Sequence, residues 1–200
     1  MALTTEALEQ ANLRQLFIDW QLEVKKDLLK RGSFWTPTFV SQPMMARTVV
    51  LRGLLCDSDN AVDAPLFIVH TDVRSQKWAE LTRDSSCALH FFCSKRKWQM
   101  RVQSEAVLNS ADDVAQSQWE GLPEKSRRIY ALQHKPGTPV DDPKAAYTFE
   151  PEASGFEHFG VISIRAVNLE SLQLDRPDRT DYHVRASWDL KSNSMTYLAP

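Results

Sequence analysis

The side chains best able to do chemistry fall in four short segments. The first is Arg47-Thr48-Val49-Val50-Leu51-Arg52-Gly53, where two arginines bracket a β-branched and apolar run. A guanidinium at the margin of a buried strand is a ready partner for an anion, although a single strand arginine is usually solvated. With period-two alternation the two arginines face opposite sides unless a bulge intervenes. The second is His70-Thr71-Asp72-Val73-Arg74-Ser75-Gln76-Lys77-Trp78, a strand end, a turn and a helix start. The first turn of a helix exposes unpaired N–H groups at the positive end of its dipole. The hydroxyls of Thr71 and Ser75 and the charge of Lys77 at that end make a phosphate pocket, or else an ordinary capped helix with a surface lysine. The third is Lys95-Arg96-Lys97-Trp98-Gln99-Met100-Arg101. Its basic run reads as a solvated hairpin tip, whereas the Gln99 amide, among apolar neighbours, needs partners that a flat heteroaromatic ring could supply. The fourth, Asp181-Tyr182-His183-Val184-Arg185, sets His183 and Arg185 on one face of a strand.

Several other chemistries are absent. No Gly-rich dinucleotide fingerprint follows a strand, and no P-loop is present, so a bound phosphate is not held in either of those cradles. No Ser-His-Asp or Cys-His arrangement stands out. Cys56, Cys87 and Cys93 are odd in number and scattered, which fits free thiols in a reducing compartment and neither a disulfide framework nor a zinc site. No metal is expected.

The elements that must position these residues follow from the rest of the pattern. The 200 residues suffice for one domain with a substantial core. A net charge of −2, from 24 basic and 26 acidic residues, gives no sign of a general nucleic-acid binder, so any anion is held by a local arrangement. The N-terminus lacks a signal-peptide profile and no apolar run approaches the ~18 residues of a membrane span, so the chain reads as cytoplasmic. Residues from about 5 to 31 read as an amphipathic helix, with Leu13, Leu16, Phe17, Trp20, Val24 and Leu28 at helical spacing and Gly32 as the stop. From there the pattern turns to β: Phe34–Val40, Arg47–Cys56, Leu66–Thr71, Cys87–Cys93 and Trp98–Leu108, then Gly160–Val167, Glu170–Leu174, Tyr182–Asp189 and Met195–Leu198. Short helices are expected from Ser75 and after Ser110. Residues from about 135 to 156, rich in Pro, Gly and charge, read as a long surface loop, either a lid or a connector. Short strands in this number, with few helices, indicate a small barrel.

Taken in order, the four segments resemble the pyridoxamine 5′-phosphate oxidase family of FMN-binding split barrels. The likeness runs from about Pro43 to Gln99 and resumes from about Gly160 to the final Leu198-Ala199-Pro200. Arg47–Arg52 looks like the family's R-x-V-L-L-K strand and His70–Lys77 like its Y-T-N-x-x-S-R-K segment. Gln99 matches the glutamine after the hairpin, and Asp181–Arg185 looks like R-x-H-x-R. The resemblance implies a mainly β fold with flanking helices (α+β), a six-stranded antiparallel split barrel spanning residues 1–200 as a single domain. It implies FMN as cofactor, with Arg47, Ser75, Gln76 and Lys77 around the phosphate, and Thr48, Val49, Val50, Arg52, His70, Thr71 and Gln99 along the rest of the flavin. It also implies a homodimer in which Arg185 reaches the flavin of the other subunit, with His183 and Arg185 as the catalytic pair. Arg52, Trp119, Arg127 and His183 would face a small-molecule substrate.

The departures from the family pattern bear on function. Gln76 stands where the family has arginine, Leu172 replaces a tryptophan that lines the flavin, and Asp181 reverses the first charge of R-x-H-x-R. The expectation is an FMN-dependent oxidoreductase whose substrate is not pyridoxamine 5′-phosphate itself. The alternative is a flavin- or tetrapyrrole-binding split-barrel module without turnover.

Overall fold

The computed structural model describes residues 5–56, 64–149, 155–174 and 183–200. Asp181 and Tyr182 of the fourth segment lie outside them. The N-terminal helix α1 (Thr5–Lys30) turns Leu13, Leu16, Phe17, Trp20 and Val24 into the interior, as their spacing requires. It ends as the sequence suggests. Arg31 takes a left-handed φ of 53°, and the Gly32 N–H closes on the Asp27 carbonyl at 2.9 Å. A Cβ at Gly32 would meet the Asp27 carboxylate at 2.2 Å, so any larger residue there must displace that side chain. That carboxylate accepts from the Phe34 N–H instead.

The strands are β1 (Thr38–Ser41), β2 (Met45–Thr48), β3 (Leu51–Leu55), β4 (Leu66–Asp72), β5 (Ser86–Cys93), β6 (Trp98–Asn109), β7 (Phe159–Gln173), β8 (Val184–Asp189) and β9 (Ser194–Leu198). They form a single nine-stranded antiparallel sheet rather than six strands, in the order β2-β1-β5-β6-β7-β4-β3, with β8 on β7 and β9 on β8. Two sequence expectations change. Arg47–Cys56 is not one strand: it breaks at Val49-Val50, so that β2 pairs with β1 while β3 pairs with β4. The buried Val49 forms that corner, its N–H donating to the Pro37 carbonyl. Conversely, Gly160–Val167 and Glu170–Leu174 are one strand. β7 pairs with β6 along one edge. On its other edge β4 takes residues 159–165 and β8 takes 168–173. That shared edge is where the barrel splits.

Inside the curl lie Trp20, Trp188, Phe17, Phe34, Phe39, Phe67 and Phe91, all fully buried. Trp20 meets Phe91 edge-on at 5.5 Å and Phe17 leans on Trp188 at 5.5 Å, so α1 closes the barrel with aromatic area. Helices α2 (Gln76–Arg83), α3 (Asp113–Glu120) and α4 (Glu124–Arg127) flank the sheet. α3 is capped by Asp112, which accepts from the Ala115 N–H. Beneath it a second aromatic cluster joins Trp119, Tyr130 and Phe159. The basic run at 95–97 is not wholly a solvated tip. Arg96 donates to Cys93 Sγ at 3.2 Å and to the carboxylates of Glu23 and Asp27, and it stacks on Phe34. It rivets α1 to the β5–β6 hairpin.

Candidate functional site: a cationic cavity at the first turn of α2

β4 ends at Asp72, the chain turns, and α2 starts from Ser75. Ser75 has N-cap backbone geometry but makes no side-chain capping bond. Its hydroxyl lies 3.1 Å from the Thr71 hydroxyl, which accepts from Lys77 Nζ at 2.8 Å. The first turn of α2 therefore keeps its dipole end uncovered by its own cap, beside two buried hydroxyls and an ammonium. Burial lowers the Lys77 pKa, and the neighbouring Arg47 charge adds to this against the opposing pull of Asp72 and Glu80. Arg47 arrives from β2, its Nη2 2.9 Å from the buried Glu80 carboxylate. β2 thus brings a cation to α2, which carries its own in Lys77.

Thr71 and Lys77 open into a cavity of about 370 Å³, also lined by His70, Tyr130, Leu132, His134, Lys135 and Thr138. This size falls within the usual range for small-ligand pockets, roughly 300–1,000 Å³. Its outer wall is the segment read from the sequence as lid or connector. Leu132 bridges Phe149 and the Gln133 N–H donates to the Thr148 carbonyl, so the ends of that segment are clamped together. Arg74 pins it from below, donating to the carbonyls of Leu132 and Gln133 while its other contacts hold the Asp72 carboxylate. At the back, His70 Nε2 lies 2.9 Å from Gln118 Oε1, and its Nδ1 is buried without a hydrogen-bond partner. Burial lowers the His70 pKa, which the Gln118 bond only partly offsets, so the ring is neutral at pH 7. With the proton placed on Nε2 for Gln118, Nδ1 is a bare acceptor. Burial pushes the Tyr130 phenol up to about 12, so it stays protonated.

The structure brings some of the sequence-derived residues together and separates others. Arg47, His70, Thr71, Ser75 and Lys77 surround α2. Thr48 is exposed and Val50 half-buried at the β2–β3 corner, and Arg52 is exposed on β3, close enough to influence His70 and Tyr130. Gln76 is exposed on α2, with a side-chain hydrogen bond to Glu80. Gln99 is not in this group. It pairs with Leu172, which pairs with Arg185, so the three form one row across β6, β7 and β8. Arg185 donates to Glu170 at 2.7–2.8 Å, and Arg101 also bonds Glu170. His183 and Arg185 line a separate cavity of about 360 Å³ with Tyr197 and Leu198. Thr71 pairs with Gly160 at one end of β7 and Arg185 with Leu172 at the other, twelve residues further on. At about 3.3 Å per residue this is about 40 Å of strand. Trp119 is buried in the second aromatic cluster. Arg127 stacks over it and donates to the carbonyls of Glu120 and Leu122.

Sequence reasoning missed Glu80, Tyr130, His134, Lys135, Arg101 and Glu170. Glu80 had a signal, because it lies three residues after Lys77 on the same face of a helix. The loop residues had none, since nothing local says which way a loop folds.

This is the architecture of a split barrel. Residues 32–110 match the family model described as the pyridoxamine 5′-phosphate oxidase, FMN-binding domain. From the end of α1 through β6 the chain is thus similar to the FMN-binding domain of that family. FMN is the cofactor of that domain. Solved structures extend the likeness in fold to the whole chain. A pyridoxamine 5′-phosphate oxidase-related FMN-binding protein from Nostoc punctiforme PCC 73102 aligns over 100% of both chains, at TM-score 0.66 and 18% identity. PhzG from Burkholderia lata 383, solved with tetrahydrophenazine-1-carboxylic acid, aligns over 90% of each chain at TM-score 0.68 and 15% identity. A relative of general stress protein 26 from Clostridium acetobutylicum covers 90% of this chain and 99% of its own at TM-score 0.52 and 6% identity. No curated protein matches the sequence.

The residues present fit an FMN phosphate. An uncapped helix N-terminus, two buried hydroxyls and a desolvated lysine are the donors that a phosphate dianion requires. Among the described residues no cluster of three or more His, Cys, Asp or Glu is placed to hold a metal, and no helix is long and apolar enough to cross a membrane.

Proposed function

We propose that the protein is an FMN-dependent oxidoreductase acting on a small molecule other than pyridoxamine 5′-phosphate, with flavin sites completed across a homodimer. The observation that carries this reading is the convergence of Thr71, Ser75 and Lys77 on the first turn of α2, with Arg47 held beside it by Glu80 and with Thr71 and Lys77 lining a preformed cavity. FMN, when bound, supplies the redox step by accepting a hydride at its ring. The protein's part is binding, orientation and protons. Lys77, Ser75 and Thr71 hold the phosphate, and Arg47 lends charge from β2. Tyr130 offers a proton it does not lose near neutrality, and His70 Nδ1 offers an acceptor at the back of the cavity.

Two of the residues expected to face a substrate are already engaged within the protein. Trp119 packs in the second core, and the Arg127 Nε and Nη2 donate to backbone carbonyls, which leaves little there to grip a second phosphate. The course of β7 supports the dimer. Arg185 and Gln99 sit at the end of that strand remote from Thr71, on the face that also carries the exposed Phe92 and Leu198. A second subunit presenting that face is the simplest way to bring Arg185 to a flavin. Its location is read as cytoplasmic, from free thiols and redox function.

The test is a visible absorption spectrum of purified protein before and after denaturation, followed by reduction with candidate donors and reoxidation in air. A released compound identified as FMN, together with a cycle of bleaching and recovery, is the expected result. A protein that is colourless and takes up no added FMN refutes the proposal. Bound flavin that no donor reduces favours the module without turnover.

A further inference from the structure

The segment between Leu132 and Phe149 does more than cover the cavity. Lys135-Pro136-Gly137-Thr138 is a turn closed twice on one carbonyl: the Thr138 N–H donates to the Lys135 oxygen at 3.2 Å and the Thr138 hydroxyl at 2.9 Å. Proline second, and glycine third at φ 87°, are the residues a type II turn demands. A Cβ at Gly137 would meet nothing within 4 Å, so the glycine is there for its backbone angle. This turn is hung on the clamped pair Leu132 and Phe149 and pinned by Arg74, so the backbone of Lys135 is fixed with respect to β4 and α2. Lys135 lines the same cavity as Lys77, from its loop wall, with His134 also on that wall.

The α2 side of the cavity is short of free positive charge. Gln76 carries none where the family pattern has arginine. The Nη2 of Arg47 is engaged by Glu80, and the Asp72 carboxylate near Lys77 is engaged by Arg74. A phosphate monoester carries about −1.5 to −2 charges at pH 7, and on this side it meets Lys77 and an Arg47 whose charge is already shared with Glu80. We infer that Lys135 is the second cation of this pocket, so that the loop selects flavins that carry a phosphate over those that do not. This rests on the FMN reading above. Because the turn is already formed, little ordering entropy opposes the contact.

The experiment is a fluorescence titration of flavin-free protein with FMN and with riboflavin, for the natural chain, Lys135→Ala and Lys135→Arg. Lys135 is exposed and supports no described packing, so the variants keep the fold. Losing one charge-assisted contact to a phosphate is expected to weaken FMN binding at least about tenfold. Riboflavin affinity should stay within about twofold, and Lys135→Arg should recover most of the FMN affinity, because it restores the charge. Raising the salt should narrow the gap between FMN and riboflavin in the natural chain more than in Lys135→Ala. If the natural chain prefers FMN and Lys135→Ala prefers it equally, the inference is wrong while the FMN reading stands. If the natural chain binds neither flavin, both fall.

Discussion

Replacing Glu80 by alanine tests the electrostatic frame of the pocket from the apo protein alone. Glu80 is 1% exposed, and its Oε2 accepts from the Ser41 hydroxyl at 2.6 Å and from Arg47 at 2.9 Å. Its removal strands Arg47 beside the apolar interior. Breaking a buried pair from one side costs about 3–5 kcal/mol. The Arg47 side chain is 21% exposed and can turn partly to water, which favours the lower end, about 3 kcal/mol. In a domain of this size each kcal/mol moves the midpoint by roughly 2–4 °C, so the apo protein should melt about 6–12 °C lower. The holo protein should lose less, because Arg47 gains the flavin phosphate as its partner. FMN should therefore stabilise Glu80→Ala more than it stabilises the natural chain. Calorimetry with and without saturating FMN measures both. An apo midpoint within about 1 °C of the natural chain would refute the claim that this pair is structural, and equal losses in the two states would remove Arg47 from the phosphate site.

The same pair makes a pH prediction. Burial by itself would raise the Glu80 pKa, but the hydrogen bond from Ser41 and the charge and hydrogen bond of Arg47 outweigh it, so the pKa is lowered on folding. A carboxylate of that kind stabilises the fold above its unfolded pKa, about 4.3, and loses the contribution as the pH falls through its folded value. The difference in stability between the natural chain and Glu80→Ala should thus be flat above about pH 5 and shrink in more acid solution. A difference that grew in acid would reverse the assignment.

Three further outcomes follow. Lys77→Met keeps the aliphatic stem but removes the ammonium that donates to Thr71, and it should weaken FMN binding at least about tenfold in an equilibrium titration. An unchanged dissociation constant would take Lys77 out of the site. His70 has its pKa lowered on folding, chiefly by burial, so the fold loses stability as the pH drops below the unfolded value near 6.5. His70→Gln should flatten the fall in midpoint between pH 7 and 5.5, and an identical slope would contradict the burial argument. Finally, Lys77→Met and Arg185→Ala, each weak in flavin binding alone, should regain sites of natural affinity when co-refolded, because a mixed dimer assembles one site with both residues intact. No recovery on mixing would place Lys77 and Arg185 in the same subunit's site.

What could be read from the sequence was whatever short-range pattern encodes. The stripe of Leu13, Leu16, Phe17, Trp20 and Val24 fixed the buried face of α1, and Gly32 its end. The strand-turn-helix of His70–Lys77 put two hydroxyls and an ammonium at one helix start, and the structure holds them in one hydrogen-bonded chain. The strand count was less legible. Period-two alternation does not say that Val49-Val50 turns a corner, or that one strand runs through Asn168 and Leu169. Gln99 shows the deeper limit. Its chemistry suggested a ring partner, but only the register Gln99–Leu172–Arg185 shows which end of the sheet it occupies. Arg96 looked like a solvated charge because its partners, Glu23 and Asp27, are some 70 residues away in sequence.

For a chain with a net charge of −2, the proposed anion site works by quenching acids more than by massing bases. Three carboxylates close to the proposed flavin contacts are answered by arginines: Asp72 by Arg74, Glu80 by Arg47, and Glu170 by Arg101 and Arg185. What each pairing leaves uncancelled is local. Beside α2 it is Lys77 and the helix dipole, on the loop wall of the cavity Lys135, and on the far end of β7 one arginine in excess over Glu170. Ion pairs of this kind contribute little net stability where they are exposed, so their value lies in holding charged groups at fixed positions around the sites. Such an arrangement also explains why bulk composition gave no hint of it. The potential that a phosphate meets is set by which acids are already partnered within a few ångströms, and that is a property of the fold.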